Sequence, residues 1–276
     1  MNKFLAIIGI CIIPIFGIAQ KPFEGELHYR SMENHDNNII KFSSDMAYNG
    51  ARNTSYTIKG NKTLFKDDCT QMSLLLDPEN NNVTLYSDLI KKGMQFDYKS
   101  YAAAYLGSFT KEGPSFMGHG MPPTLYRFEP TGENIDFMNY STEYLKGRIE
   151  NKTASTSFDL YRTLSFNMPK TMYAAQMYGI ELDGLIVKIT WEQVNNVPTL
   201  GEFKSYVYTE LKEIVERPVD DSELAIPKDI KIDKSESPFK VVSLYKDNAK
   251  YLEEHNMYPT QVNKDVIYKI DETWDF

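Results

Sequence analysis

The side chains with the clearest capacity for ligand chemistry lie between positions 98 and 121 of this 276-residue sequence. They are aromatic residues and methionines, namely Tyr98, Tyr101, Tyr105, Phe109, Met117 and Met121. The four aromatic residues recur at spacings of three and four, which is the period of one helical face. The methionines follow in a segment rich in Gly and Pro, which predicts a loop. Because aromatic and methionine side chains adapt to irregular apolar ligands, the set predicts a lid over such a ligand; the alternative is a helix that packs as core.

A metal site is the next possibility, because Met117-Gly-His-Gly-Met121 places an imidazole between two thioethers. Such ligands suit a soft metal such as Cu(I). The other histidines, His28, His35 and His255, have no ligand spacing with this one, and we favour a solvated loop histidine. We therefore expect no bound metal and no cofactor.

Catalytic serine motifs are weak in this sequence. Ser243 and Lys246 match the Ser-x-x-Lys pattern, but Ser237 and Lys240 match it equally well. The partner motifs Lys-Thr-Gly and Ser-Asp-Asn are missing, and so are Gly-x-Ser-x-Gly and His-Glu-x-x-His. The sequence therefore gives no support to serine catalysis.

Two pairs of adjacent acids, Asp67-Asp68 and Asp220-Asp221, invite comparison with the carboxylates of a glycosidase or with calcium ligands. Adjacent residues on a strand face opposite ways, and solvated turn acids are the simpler interpretation. Cys69 has no His or basic cluster near it in sequence and is interpreted as a small core or strand residue. We expect a protein that is not an enzyme, with a glycan-active enzyme as the third functional possibility.

The N-terminus predicts export. Residues 1–19 combine Lys3 with an apolar run that ends in Gly17-Ile18-Ala19, which is the pattern of a secretory signal peptide with its cleavage site. A membrane anchor is the alternative, but the run is short for the ~20 residues that span a bilayer. The expected location is the periplasm or cell envelope of a Gram-negative bacterium.

The charge balance argues against nucleic acid as a partner. The full chain has 30 basic and 38 acidic residues, and loss of residues 1–19 removes Lys3 and no acid. Nucleic-acid binders usually show the opposite balance. After signal removal Cys69 is the single cysteine, so no internal disulfide can form, and no later apolar stretch is long enough to span a membrane.

Short alternating segments predict an antiparallel sheet. The stretch Thr70–Tyr86 holds two strand-like runs around the turn Asp77-Pro78, with Met72, Leu74 and Leu76 on one face. Further strands are predicted at 23–32, 39–42, 54–59, 63–65, 140–149, 155–163, 185–191, 203–215 and 265–270. Helices are predicted at 96–109 and from Ser237-Pro238 to a point before Pro259.

Several turn and strand motifs resemble a group of exported Gram-negative proteins of unknown function that includes the GLPGLI-type proteins. The motifs are Phe23-Glu-Gly-Glu, Tyr56-Thr-Ile-Lys-Gly-Asn-Lys62, Leu76-Asp-Pro-Glu, Thr131-Gly-Glu-Asn-Ile135, Tyr178-Gly-Ile-Glu-Leu-Asp-Gly-Leu-Ile186 and Val219-Asp-Asp-Ser-Glu-Leu-Ala-Ile-Pro227. The fifth lacks the literal GLPGLI wording. The resemblance covers residues 22–232, and the tail from Asp233 to Phe276 departs from it.

Such proteins are similar in architecture to the lipoprotein-carrier fold, a curved antiparallel half-barrel with short helices and loops over its concave face. The resemblance implies a mainly β domain at 20–232 with a helix and loop insertion at about 96–125, followed by a C-terminal helix and strand at 233–276. The implied function is a non-enzymatic carrier or binding protein for a lipid or other apolar ligand. The alternative is a structural envelope component that binds a protein partner.

Overall fold

The computed structural model describes residues 21–35, 50–101, 128–150, 154–169, 171–172, 182–197, 201–235 and 240–257. The described strands are β1 (Lys21–Pro22), β2 (Gly25–His35), β3 (Gly50–Lys59), β4 (Lys62–Asp67), β5 (Met72–Asp77), β6 (Asn82–Ser87), β7 (Lys92–Asp97), β8 (Phe128–Phe137), β9 (Tyr140–Glu150), β10 (Ala154–Thr163), β11 (Phe166–Asn167), β12 (Leu185–Val197), β13 (Gly201–Glu216) and β14 (Lys231–Lys234). The described helices are α1 (Tyr98–Tyr101), a 3-10 helix (Asp221–Leu224) and α2 (Val241–Glu254).

Twelve of these strands form one curved, unclosed sheet in the order β14-β7-β6-β5-β4-β3-β2-β13-β12-β10-β9-β8. All neighbours are antiparallel except β14 and β7, which run parallel. The fold predicted from the sequence, a mainly β curved antiparallel sheet with a C-terminal helix, is therefore confirmed. β1 pairs with β11 outside this sheet, and the rings of Phe23 and Phe166 meet edge to face at 5.5 Å there.

Strands β4 to β7 follow a ten-residue repeat. Each has six residues, and the strands begin at Lys62, Met72, Asn82 and Lys92. The last residue of each strand accepts a hydrogen bond from a backbone N–H just beyond it: Asp67 from Cys69 (2.9 Å), Asp77 from Asn80 (3.2 Å), Ser87 from Leu89 (3.1 Å) and Asp97 from Ser100 (2.9 Å). Such local side-chain bonds stabilise turns, and a short polar residue at every tenth position therefore sets the strand length.

The two faces of this hairpin region differ as the sequence predicts. Met72, Leu74 and Leu76 of β5 belong to one large core cluster with Val83 and Leu85 of β6. We call the side of the sheet that carries this cluster the inner face. The predicted common face of the Thr70–Tyr86 hairpin is confirmed, and the same cluster contains core residues of β2, β3, β9, β10 and β12.

The outer face of β4 to β6 is covered by the segment Val219–Ile232, which we call the strap; it contains the 3-10 helix and ends in β14. Leu64, Leu75 and Tyr86 point to this side and form a second cluster with strap residues, namely Val219, Leu224, Ile226, Ile230 and Ile232. Lys59 pairs with Asp221 at 2.8 Å at one end of the strap, and Lys91 pairs with Asp229 at 3.0 Å near the other. The strap therefore seals a second, smaller core on the outer face.

Gly25, in the Phe-Glu-Gly-Glu motif, lies where β2 and β13 approach each other closely. Its φ is +143°, and a Cβ atom at this position would lie 2.0 Å from the carbonyl oxygen of Val215. Only glycine fits such an approach without displacing backbone. The motif is thus explained by the packing of two adjacent strands.

The structure corrects several boundaries. Phe96 was expected in a helix but belongs to β7, and α1 begins at Tyr98. Five strands were not predicted: the two-residue strands β1 and β11, the strand β7, which precedes the predicted helix, the four-residue strand β14, and β8, which is exposed along nearly its whole length. The predictions for 1–19, 39–42, 102–123 and 265–270 lie outside the described residues.

Candidate functional site

The short helix α1 is fixed at the end of β7 by the neighbouring hairpin turn. The N–H of Tyr98 donates to the carbonyl oxygen of Asn81 at 3.0 Å. The N–H of Ser100 donates to the Asp97 carboxylate, and this hydrogen bond is the main cause that lowers the pKa of Asp97. Tyr101 is thereby placed in the core of the inner face, where its exposed fraction is 7%.

Helix α2 packs on the inner face at the other end of β6 and β7 from α1, near Ser87 and Lys92. Val241 and Leu244 belong to the large core cluster. The side chain of Asn248, which is 2% exposed, donates to the carbonyl oxygen of Thr70 at 2.7 Å and accepts from the Ser87 hydroxyl at 2.6 Å. A buried amide that satisfies both of these groups fixes the position of α2.

One apolar row crosses the inner face between the two helices. Phe65, Leu74, Leu85 and Met94 are direct neighbours in the register of β4, β5, β6 and β7. The two central members are 8% and 4% exposed, whereas Phe65 and Met94 are half-buried. With strands about 4.8 Å apart, the row extends over about 14 Å.

The half-buried side chains around this row form the candidate site, which we call the interhelix strip. Its members are Phe65, Ile90, Met94, Tyr98 and Tyr245. Tyr98 comes from α1 and Tyr245 from α2, so the two helices flank the strip. All five pack against the core cluster and still keep part of their surface in contact with solvent. The strip is mainly apolar and adaptable, and the polar groups of its side chains are the hydroxyls of Tyr98 and Tyr245.

The predicted lid residues are only partly covered by the structure. Tyr98 lies in the interhelix strip, and Tyr101 is a buried core residue. Tyr105, Phe109, Met117 and Met121 lie outside the described residues. Phe65, Met94 and Tyr245 were not predicted as site residues, because each follows the hydrophobic period of its own strand or helix as an ordinary core residue would.

Much of the rest of the inner face is filled by its own side chains in the part of the chain that the structure describes, although Phe128, Tyr140 and Trp191 are also only half-buried against the core cluster. Leu27, Ile58 and Leu76 are 0% exposed, as are Leu160 and Leu185 on the other half of the sheet. Interiors of this kind are close-packed and leave few voids. An apolar ligand would therefore bind at the interhelix strip rather than deep between the described strands.

A polar groove of about 440 Å³ lies at the end of β3, where β3 extends beyond the β4–β5 turn. Its lining residues are Arg30, Ala51, Arg52, Asn53, Asp68, Cys69 and Met257. Cys69 was expected in the core or in a strand, but it lies half-buried in the turn between β4 and β5. The groove is polar and open to solvent, and it is therefore unlike the apolar site that the sequence predicts.

The wall of this groove contains a buried ion-pair cluster. Arg52 donates to Asp67 at 3.1 Å and also pairs with Glu33, and both acids are less than 7% exposed. Asp67 additionally accepts a hydrogen bond from the Thr70 hydroxyl at 2.9 Å. Buried charges are tolerated when they are paired and hydrogen-bonded in this way. The cluster attaches the turn that follows β4 to strand β3.

The acid pairs behave differently from each other. Asp68, Asp220 and Asp221 are exposed residues of turns or of the 3-10 helix, as predicted, whereas Asp67 is buried and the prediction of a solvated acid is wrong for it. Partial burial of the Asp68 carboxyl group, and next the charge of Asp67, raise the pKa of Asp68. The hydrogen bond from Lys59 lowers the pKa of Asp221. Neither pair forms two facing carboxylates.

The outer face of β9, β10, β12 and β13 carries a ladder of tyrosines and lysines. The rings of Tyr144 and Tyr161 stack at 4.6 Å, and the Lys188 Nζ lies 5.5 Å from the Tyr161 ring and 5.4 Å from the Tyr208 ring. Burial lowers the pKa of Lys188. Cross-strand pairs of this type stabilise a sheet face.

Among the described residues, no group of three or more His, Cys, Asp or Glu side chains converges as a metal site would require. In the same residues, no helix combines the length and apolar character needed to cross a bilayer. Neither known family models nor curated protein sequences give a match to this chain. The resemblance to GLPGLI-type proteins therefore stays a prediction from the motifs alone.

Proposed function

We propose that this chain is a non-enzymatic binding protein or carrier for a lipid or other apolar group, with the interhelix strip as its binding surface. The proposal includes the location predicted from residues 1–19, the periplasm or cell envelope. One observation carries it: half-exposed aromatic and methionine side chains from β4, β7 and both helices lie together around one apolar row of the inner face.

The chemistry of the strip supports an apolar ligand. Half-buried Met94 and Phe65 supply adaptable apolar contacts, and the tyrosines at the two sides combine an apolar ring with a polar hydroxyl. The polar groups of the strip are two tyrosine hydroxyls, and the proposed role is to hold a ligand and release it unchanged. A ligand would contact the half-buried ends of the row, Phe65 and Met94, and the side chains of the flanking helices.

The experiment that tests this function is native mass spectrometry of the protein purified from its own envelope without detergent exchange. We expect additional mass that organic extraction removes. Binding of a fluorescent fatty acid to the extracted protein gives a second measurement. Protein that always carries its bare chain mass and fails to bind the fatty acid would contradict the proposal.

A charged substitution in the strip locates the binding surface. Met94→Lys places an ammonium group on the apolar row, and we expect at least about a ten-fold loss of fatty-acid affinity because the charge must be desolvated or displaced. Leu164→Lys is the matched control, since Leu164 is 46% exposed and lies outside the strip. Equal affinities for the two variants would place the ligand elsewhere. Circular dichroism must show that both variants remain folded.

A further inference from the structure

The edge strand β8 has a surface that the apolar-ligand function does not use. Residues 129–136 are all exposed, and among the described strands only β9 pairs with β8. A free edge presents a row of backbone N–H and C=O groups that can pair with another strand. Pro130 has no N–H, and the register with β9 shifts between Pro130 and Asn134, so the regular part of this edge begins at Asn134.

Two exposed apolar side chains lie beside this regular edge. Ile135 is 43% exposed, and Met138 at the tip of the β8–β9 hairpin is 41% exposed. Met138 and Asn139 form the two-residue turn with φ values of 50° and 68°. Such turns strongly prefer Asn, Asp or Gly, and a methionine in this conformation carries strain. Packing within the described chain does not account for an exposed methionine there.

The charge of the edge selects the type of partner. Residues 128–139 contain Glu129, Glu133 and Asp136 and no basic residue. Glu129 lies opposite Lys146 of β9, but within the described chain Glu133 and Asp136 make no ion pair. Two copies of this edge would bring like charges together, which disfavours self-pairing. A strand with basic side chains has the complementary charge.

We propose that the β8 edge from Asn134 to Phe137, together with the hairpin tip at Met138, docks an extended basic segment of another protein by strand addition. The partner's backbone pairs with β8, its basic side chains meet Glu133 and Asp136, and its apolar side chains contact Ile135 and Met138. This interaction is independent of the proposed apolar ligand, because it lies at the edge of the sheet opposite to β7 and the interhelix strip.

The test uses the full mature chain and a synthetic ten-residue peptide that alternates lysine with valine. We expect the peptide to bind in calorimetry at low salt and to slow amide hydrogen exchange at Asn134 and Asp136. The same peptide with glutamate in place of lysine is expected to bind at least about ten-fold more weakly, because its charges repel the edge. Equal binding of the two peptides, or binding of neither, would overturn the proposal.

Variants of the edge separate docking from a structural role. The double variant Glu133→Gln, Asp136→Asn should bind the lysine peptide about five-fold more weakly. Asp233→Asn, on the opposite edge strand β14, should leave the affinity for this peptide unchanged. Met138→Gly should raise the melting temperature, because glycine relieves the positive φ, and should weaken peptide binding at the same time. If Met138→Gly raises the melting temperature and leaves binding unchanged, the tip is structural and the proposal fails. Concentration-dependent dimers that these variants abolish would instead identify a second copy as the occupant and overturn it.

Discussion

Strands β4 to β6 are covered on both faces, and the two covers are built differently. On the outer face the strap crosses the sheet as a 3-10 helix followed by irregular chain and β14, and Leu64, Tyr86 and Leu224 are at most 2% exposed. On the inner face α1 and α2 pack at opposite ends of β6 and β7, and the interhelix strip between them stays half-buried. The central strands β5 and β6 are thus buried on both faces, and the half-exposed side chains of the inner face belong to the flanking strands β4 and β7, the turn before β7 and the two helices.

The difference follows from the shape of the covering segments. The strap has no long helix and can follow the surface of the sheet closely, and Gly93 allows this because a Cβ at that position would lie 2.5 Å from the side chain of the strap residue Ile232. A helix is a cylinder about 10 Å wide and touches a sheet along one stripe. Two separate helices therefore leave apolar surface between them, which is where we place ligand binding.

The largest expected effect is on the sealed side. Leu224→Ala should lower the free energy of unfolding by about 2–4 kcal/mol, because it leaves a cavity between the strap and the sheet. Urea unfolding measures this loss. Ile226→Ala is the control in the same strap, and because Ile226 is only partly buried it should cost about half as much. A smaller loss for Leu224→Ala than for Ile226→Ala would show that the strap does not seal this face.

The attachment of α2 gives the next largest effect. Asn248→Ala removes the amide that satisfies the Ser87 hydroxyl and the Thr70 carbonyl, and it should cost about 1–3 kcal/mol of unfolding free energy. Lys250→Ala, at an exposed position of the same helix, should change stability by less than about 0.5 kcal/mol. Similar unfolding curves for these two variants would mean that α2 is not fixed by its buried amide.

A comparison within the apolar row tests whether the strip is open. Leu85→Ala should lower the free energy of unfolding by about 2–4 kcal/mol. Met94→Ala should lower it by about 1 kcal/mol, because the Met94 side chain is only half-buried in the folded protein. Both values come from urea unfolding of ligand-free protein. Equal costs would indicate that the strip is closed in solution and would remove the main support for ligand binding there.

The smallest effect is the contribution of the strap's ion pairs. Arg217 donates to Glu223 at 2.9 Å, and this hydrogen bond is the main cause that lowers the pKa of Glu223 to about 2. Because the folded pKa lies below the ordinary value of 4.5, the pair stabilises the fold above about pH 4.5 and loses this effect as the pH falls toward 2. Glu223→Gln should therefore lower the melting temperature slightly at pH 7. The difference from the wild type should shrink as the pH is lowered to 3, and a constant difference would contradict the assignment.

The sequence predicted the fold better than the site. Strands are present in Thr70–Tyr86 and in Phe203–Val215 as predicted, and the inward-facing set Met72, Leu74 and Leu76 was assigned correctly because successive residues of a strand face opposite ways. The burial of the outer face of β5 and β6 by the strap was not predicted. The edge strand β8 was missed because a strand exposed on both faces needs no alternation. Helix α2 was predicted from the stripe that begins at Val241 and ends at Leu252, and it is confirmed.

Of the residues in the interhelix strip, only Tyr98 was predicted from the sequence as a ligand-binding residue. Its other members come from β4, the turn before β7, β7 itself and α2, and no spacing in the sequence brings these segments together. The degree of exposure of Phe65 and Met94 depends on the positions of the two helices, which are fixed by a few hydrogen bonds of Asn81 and Asn248. Patterns of hydrophobicity carry no information on such contacts.

The ten-residue repeat also determines which changes of length the sheet can accept. In β4 and β6 the second and fourth residues face the inner side, and Leu85, the fourth residue of β6, is an example. In β5 and β7 the first, third and fifth residues face the inner side, and Leu74, the third residue of β5, is an example. Removal of one ten-residue unit would make every later strand of the repeat direct its inner-face side chains to the outer face of the sheet. Removal of two units, such as residues 72–91, restores both chain direction and facing. The effective module of this sheet is therefore twenty residues, and we expect natural insertions and deletions here to come in multiples of that length.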